Sequence, residues 1–228
     1  MTPGSRAKYL AIAGWSLLGA AGLIVLFLVY QFFVTDFING RSQAAASDEL
    51  VTSLEDRRRV LSVASTSTTQ SNTEPEPEVE LLVEPEVAAG EPFAHLVIDR
   101  IGLDAVLFEG VDRGTLKLGP GHMPDTPLPG QPGNAVISGH RTTYGRPFLD
   151  LDQLVNGDEI EVETALGIST YAVRDILIVQ PTDVWVTDHI DGAWLTLTTC
   201  NPRFSAAERL VIQAELVDGP NLEFVEAA

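Results

Sequence analysis

From Leu10 to Val34 the chain carries almost nothing but apolar side chains, interrupted only by mild residues such as Ser16 and Gln31. At about 1.5 Å per residue the run predicts a helix of roughly 37 Å, enough to span a bilayer with some tilt. Arg6 and Lys8 precede it and Asp36 follows it, so the positive-inside rule predicts a short tail, residues 1–9, in the cytoplasm and the rest of the chain outside the cell. Arg57–Arg59 lie too far past the run to reverse that orientation. A cleaved signal peptide would have an apolar core of only about 7–15 residues, and the small residues Ala44–Ala46 lie well beyond the run. The expectation is an uncleaved, single-pass anchor in the cytoplasmic membrane over residues 10–34.

Beyond the anchor the pattern weakens. Ser47 as N-cap, Asp48 and Glu49 in the first turn, and Leu50, Leu54, Arg57 and Leu61 on one face give a modest helix signal over residues 47–61, read as a solvated, partly helical segment. Ser62–Thr73 is rich in Ser and Thr, and Glu74–Glu91 alternates Glu and Pro with aliphatics and has no basic residue. Neither stretch can bury enough apolar surface to fold by itself. Residues 35–91 therefore read as an extracytoplasmic tether, acidic and Pro-rich at its end, which as a coil of about 50 residues would reach roughly 40 Å.

From residue 92 to residue 228 the pattern is that of a folded domain. Phe93–Ile98, Ala105–Glu109, Asn134–Ser138, Glu159–Val162, Thr170–Val179, Trp194–Thr199 and Arg209–Leu216 read as strands. Turns at Gly119-Pro120, Pro129-Gly130, Pro132-Gly133 and Asn156-Gly157 separate them. Seven or eight short strands with almost no helical period predict an all-β fold, a closed barrel or a sandwich. Gly145–Leu154 has room for one helical turn.

One pair of strands stands apart. Leu195–Ile212 alternates into Cys200, breaks at Asn201 and Pro202, and resumes as a strand opening with Arg209. The period of two puts Trp194, Thr196, Thr198 and Cys200 on one face and Leu195, Leu197 and Thr199 on the other; Arg209, Val211 and Gln213 likewise oppose Leu210, Ile212 and Ala214. With both aliphatic faces turned to the core, a thiol and a guanidinium share a surface groove.

Composition sharpens this. A formal net charge of -18, with 8 basic and 20 acidic residues from Pro92 onward, excludes a nucleic-acid partner of the usual kind, because phosphate binding needs clustered Lys and Arg. Cys200 is the only cysteine, so there is no internal disulfide, and a lone thiol at a strand end in an extracytoplasmic chain points to chemistry rather than packing. A thiol with a reference pKa near 8.5 is only a few per cent thiolate at neutral pH and needs a base or positive charge beside it. His140 also sits at a strand end, leading into Arg141-Thr142-Thr143-Tyr144-Gly145; His95, His122 and His189 lack such a setting. No two histidines have ligand spacing, so neither metal nor other cofactor is expected, and Asp150, Asp152, Asp158 and Glu159 read as solvated acids.

The segment TLTTC with arginine nine residues on, together with GHRTTYGRPF upstream, resembles the sortases, and in wording is most similar to class E of actinobacteria. The resemblance covers Phe93–Leu216. It implies a closed β-barrel with short helices, and a membrane-anchored cysteine transpeptidase of Gram-positive cells. It assigns Cys200 as nucleophile, His140 as proton partner and Arg209 as oxyanion donor, with Thr198 and Thr199 shaping the substrate groove beside Tyr144. It implies cleavage of a C-terminal sorting signal, Leu-Ala-X-Thr-Gly or Leu-Pro-X-Thr-Gly, between Thr and Gly, and transfer of the secreted protein to an amine of a peptidoglycan precursor. One departure is Met123 after GPGH, where class E proteins often carry tyrosine near the groove, which leaves the second signal position open. Papain-like and NlpC/P60 hydrolases place cysteine before histidine, the reverse of the order here. L,D-transpeptidases join the two residues in one short motif that is absent. The alternatives that stand are a pilus-polymerising enzyme with lysine as acceptor and a non-catalytic tethered β-domain.

Overall fold

Eight strands close into a barrel in the computed structural model, which describes residues 3–30, 35–67 and 79–227. They are β1 (Pro92–Ile98), β2 (Leu103–Glu109), β3 (Gly121–His122), β4 (Gly133–Ser138), β5 (Glu159–Glu163), β6 (Ile168–Val179), β7 (Ala193–Asn201) and β8 (Glu208–Asp218). Around the barrel the order is β1-β2-β3-β4-β7-β8-β6-β5. Neighbours run antiparallel except β2 with β3 and β4 with β7, which are parallel. The seven strands expected from alternation are present. The additional one, β3, is two residues long and shows no alternation; a Cβ on Gly121 would stand 2.1 Å from the Gly110 carbonyl oxygen, so only glycine allows that approach. Phe93, Leu96, Leu107, Ile137, Phe148, Ile160, Leu195 and Ile212 fill the interior with under 2 % of their surface exposed. Burial of each such side chain contributes about 1.5–3 kcal/mol. The helical turn expected in Gly145–Leu154 is a 3₁₀ turn at Leu151–Gln153.

The N-terminal region departs from the expected tether. Helix α1 spans Pro3–Val29 and α2 spans Thr35–Ser67, and α2 lies against the barrel instead of in solvent. Ala46, Leu50 and Leu54, spaced by four, bury against Val106, Phe108 and Ala165, with Leu61 packed at the edge. Polar groups fix the seat. Gln43 Nε2 donates to the Leu118 carbonyl (2.7 Å) while its Oε1 accepts from Val106 N (2.8 Å). Arg58 reaches Glu163 (2.8 Å) and the Thr164 carbonyl (3.2 Å). Arg57 donates to the Phe93 and Pro85 carbonyls and pairs with Glu84 at 2.7 Å. Glu84 in turn accepts from the amides of Ala165 and Leu166, so the acidic segment is strapped to the barrel where it reaches residue 84. The apolar stripe of α2 is narrow, and its partners lie 50 or more residues away, which is why the pattern reads as solvated.

Among the described residues no helix is long and apolar enough to cross a membrane. The run expected to do so, Leu10–Val34, continues past α1 into residues 31–34, which lie outside the described residues, as do residues 68–78 of the expected tether. Within α1 the large side chains Trp15, Leu17, Leu18, Leu23 and Phe27 are exposed.

Candidate active site

Strand pairing brings the three expected groups together. In the parallel pair β4/β7, Ser138 stands opposite Thr198. Gly139 N continues the bonding to the Thr198 carbonyl (3.1 Å), so the chain leads into His140 beside the end of β7. In the antiparallel pair β7/β8, Cys200 is registered with Arg209. Thiol, imidazole and guanidinium thus lie at one end of three adjacent strands, and all three residues are half-buried.

Alternation places the neighbours. Leu195, Leu197, Thr199, Leu210, Ile212 and Ala214 all face inward and are buried. Thr199 is 2 % exposed and its Oγ1 donates to the Gly139 carbonyl at 2.7 Å. It ties the cysteine strand to the histidine strand and does not line the groove. The opposite face is less open than alternation alone implies. Asn134, 1 % exposed, donates from Nδ2 to the Val186 (3.1 Å) and Asp188 (3.0 Å) carbonyls and accepts from Thr196 Oγ1 (2.6 Å), so the connection from β6 to β7 folds across that face. Thr198 is half-exposed at the open end. Met123, half-exposed, extends from β3 with its amide on the Val136 carbonyl (2.8 Å).

The loop that carries His140 is tightly determined. A Cβ on Gly139 would stand 2.6 Å from the Phe148 ring, and Phe148 N donates back to the His140 carbonyl at 3.1 Å. Tyr144, Gly145 and Arg146 follow one another at φ of 50°, 76° and 53°; two non-glycine residues in that region are held only by surrounding contacts. The Tyr144 ring lies 5.0 Å from the His140 ring at an interplanar angle of 41°, and Lys117 Nζ stands 5.6 Å from the Tyr144 ring centre. Burial lowers the His140 pKa below its ordinary 6.5, and the positive charge of Lys117 lowers it further. The imidazole is therefore held neutral at neutral pH, able to take a proton. Arg209 Nη1 donates to the Ala206 (3.2 Å) and Glu208 (2.9 Å) carbonyls, while the Glu208 carboxylate turns to Asn201 Nδ2 (2.8 Å). The Arg209 guanidinium is thus held by main-chain carbonyls and not by the Glu208 carboxylate.

The remaining histidines serve elsewhere: His122 is buried between Glu109, Thr126 and the Pro127 carbonyl, His95 pairs with Asp104, and His189 is exposed near Asp191. Asp150 and Asp152 remain partly exposed and are ion-paired with Arg203. Three residues that sequence reasoning did not single out border the site. Lys117 acts on His140 through space. Arg141 and Asn201 adjoin the cysteine, with Arg141 Nη1 on the Asn201 Oδ1 and Cys200 carbonyl oxygens. Their only sequence signal is adjacency, each directly following a candidate catalytic residue.

A family model described as the Sortase domain matches residues 96–217. Sortase SrtE1 of Streptomyces coelicolor is 32% identical over 149 residues, 57% of this chain and 41% of that protein. Sortase D of Bacillus subtilis is 32% identical over 114 residues, 50% of this chain and 56% of that protein. The chain thus spans about half the length of these curated relatives. Among solved structures, sortase E from Streptomyces avermitilis superposes with a TM-score of 0.55 at 36% identity, covering 59% of this chain and 93% of that one. A Clostridium perfringens Sortase D5 transpeptidase gives 0.62 at 25% identity, covering 78% of this chain and 99% of that one.

Proposed function

The chain belongs to the sortase family, and on that premise we propose that it is a membrane-anchored transpeptidase of class E type. The observation that carries the proposal is the register that pairs Cys200 with Arg209 on one side of β7 and, on the other, ends β4 at Ser138 opposite Thr198, two residues before His140. In this reading the Cys200 sulfur, its proton passed to His140, attacks the carbonyl carbon of a threonine in a C-terminal sorting signal. Arg209 stabilises the oxyanion, a role worth roughly 3 kcal/mol in the transition state. The C–N bond to glycine breaks and the leaving amine takes the proton from His140, which leaves a thioester. An amine of a peptidoglycan precursor then attacks the thioester carbonyl and gives its proton to His140; the C–S bond breaks, the sulfur takes the proton back from His140 to restore the Cys200 thiol, and the acceptor leaves joined to the protein by a new amide. Thr198, Met123 and Tyr144 border the groove in which the signal lies.

Class E is favoured over class D by sequence identity, 36% against 25% among the structures; the better superposition on the class D enzyme reflects a longer aligned stretch. For the anchor, the support is the apolar sequence run Leu10–Val34 with Arg6 and Lys8 ahead of it and the exposed large side chains within α1; on this reading the positive-inside rule puts the barrel outside the cell. The test is the full chain in detergent micelles with Leu-Ala-X-Thr-Gly and Leu-Pro-X-Thr-Gly peptides and an amine, read by mass spectrometry. A thioester on Cys200 and an amide product, both lost in Cys200→Ala, are expected. A thiol that resists alkylation and forms no adduct with either peptide would instead identify a binding domain.

A further inference from the structure

Arg141 is 3 % exposed, an unusual place for a guanidinium side chain. Burying it is costly unless its fork is filled, and here it is filled from two segments of the chain. Nη1 donates to the Cys200 carbonyl (3.3 Å) and to Asn201 Oδ1, Nη2 pairs with Asp152 at 3.0 Å, and Nε points at the Leu149 carbonyl at 3.5 Å. Asn201 is held from its other side by Glu208, the residue before Arg209. A line of polar contacts therefore runs from Asp152 through Arg141 and Asn201 to Glu208, taking in the Cys200 carbonyl. It joins the histidine loop, the end of the cysteine strand and the start of the arginine strand.

We infer that Arg141 is a positioning residue: its buried guanidinium fixes the main chain at Cys200 against the loop that carries His140. The inference rests on the transpeptidase reading of those two residues. The thiol stands on β7 and the imidazole on the loop after β4, which ends at Ser138, so beyond Thr199 and Gly139 the barrel ladder no longer sets their separation. Arg141 does so. A planar fork reaches the carbonyl and the amide oxygen with one nitrogen and the carboxylate with another, whereas a lysine can satisfy only part of that set.

The test compares the full-length protein with Arg141→Gln, Arg141→Lys and Asn201→Ala in micelles, measuring kcat and KM for a sorting-signal peptide, the pH dependence of Cys200 alkylation by iodoacetamide, and the melting temperature. For Arg141→Gln, kcat is expected to fall about 10–100-fold with KM changed by less than about 2-fold, and the alkylation profile to shift because the imidazole is no longer held beside the thiol. Arg141→Lys recovers part of the rate. Asn201→Ala loses about 3–10-fold, and adding it to Arg141→Gln costs little more, since both cut one connection. Folded variants with the parent kcat and alkylation profile overturn the inference, as does a rate loss that vanishes well below the melting temperature. Should Arg141→Gln fail to fold, Asn201→Ala decides by the same criteria. If the parent enzyme processes neither peptide, the transpeptidase reading falls, while the alkylation profiles still decide whether the clamp operates.

Discussion

At the level of single residues, Lys117 gives the most direct handle on the chemistry. It is exposed, so its effect on His140 is modest and screened by salt, yet its direction is fixed. Replacing Lys117 with Gln removes one of the two causes that lower the imidazole pKa, so the His140 titration followed by NMR is expected to move upward, and the acid limb of the pH–rate profile with it. The difference shrinks in concentrated salt, and an unmoved titration refutes the coupling. The same depression gives stability a sign. The imidazole protonates more readily in the unfolded chain, so acidification through about pH 6.5 and below draws stability away from the fold. The pairing of Cys200 with Arg209 was legible in the sequence because a period of two is a local signal, whereas His140 was singled out only through the family resemblance. Thr199 shows the value of trusting the alternation, which turned it inward against the groove role implied by family resemblance. Lys117, Arg141 and Asn201 were not legible, since what they do depends on partners brought near only by the barrel.

Among the elements, the strands were readable and the docking of α2 was not. A strand declares itself through residues i and i+2, whereas the seat of α2 depends on Gln43, Arg57 and Arg58 meeting carbonyls and carboxylates far along the chain. Its weakest point is identifiable. The Arg57 and Glu84 side chains are 12% and 1% exposed, and burial already lowers the Arg57 pKa against the opposing charge of Glu84. Glu84→Ala strands a buried cation, a change that typically costs about 3–5 kcal/mol. The helix is expected to yield first, so hydrogen exchange should accelerate throughout Thr35–Ser67 while β7 and β8 stay protected. Uniform acceleration of helix and barrel alike would show that α2 is no separate unit.

For the whole molecule, the folded unit begins at α2 and not at Pro92. A chain cut to start at Pro92 uncovers Val106, Phe108 and Ala165 and is expected to melt at lower temperature and scatter more light than one starting at Thr35. Equal melting temperatures would restore the tether. Under the anchoring proposed above, the docked helix also changes how the enzyme meets its substrates. Asn39, ten residues past the end of α1 at Val29, already bonds the Lys117 and Leu118 carbonyls, which leaves little slack between bilayer and barrel. A catalytic head on a long leash samples a volume; one seated this close patrols a sheet. Under that anchoring, substrates are met in a thin layer beside the bilayer and not throughout the space outside it.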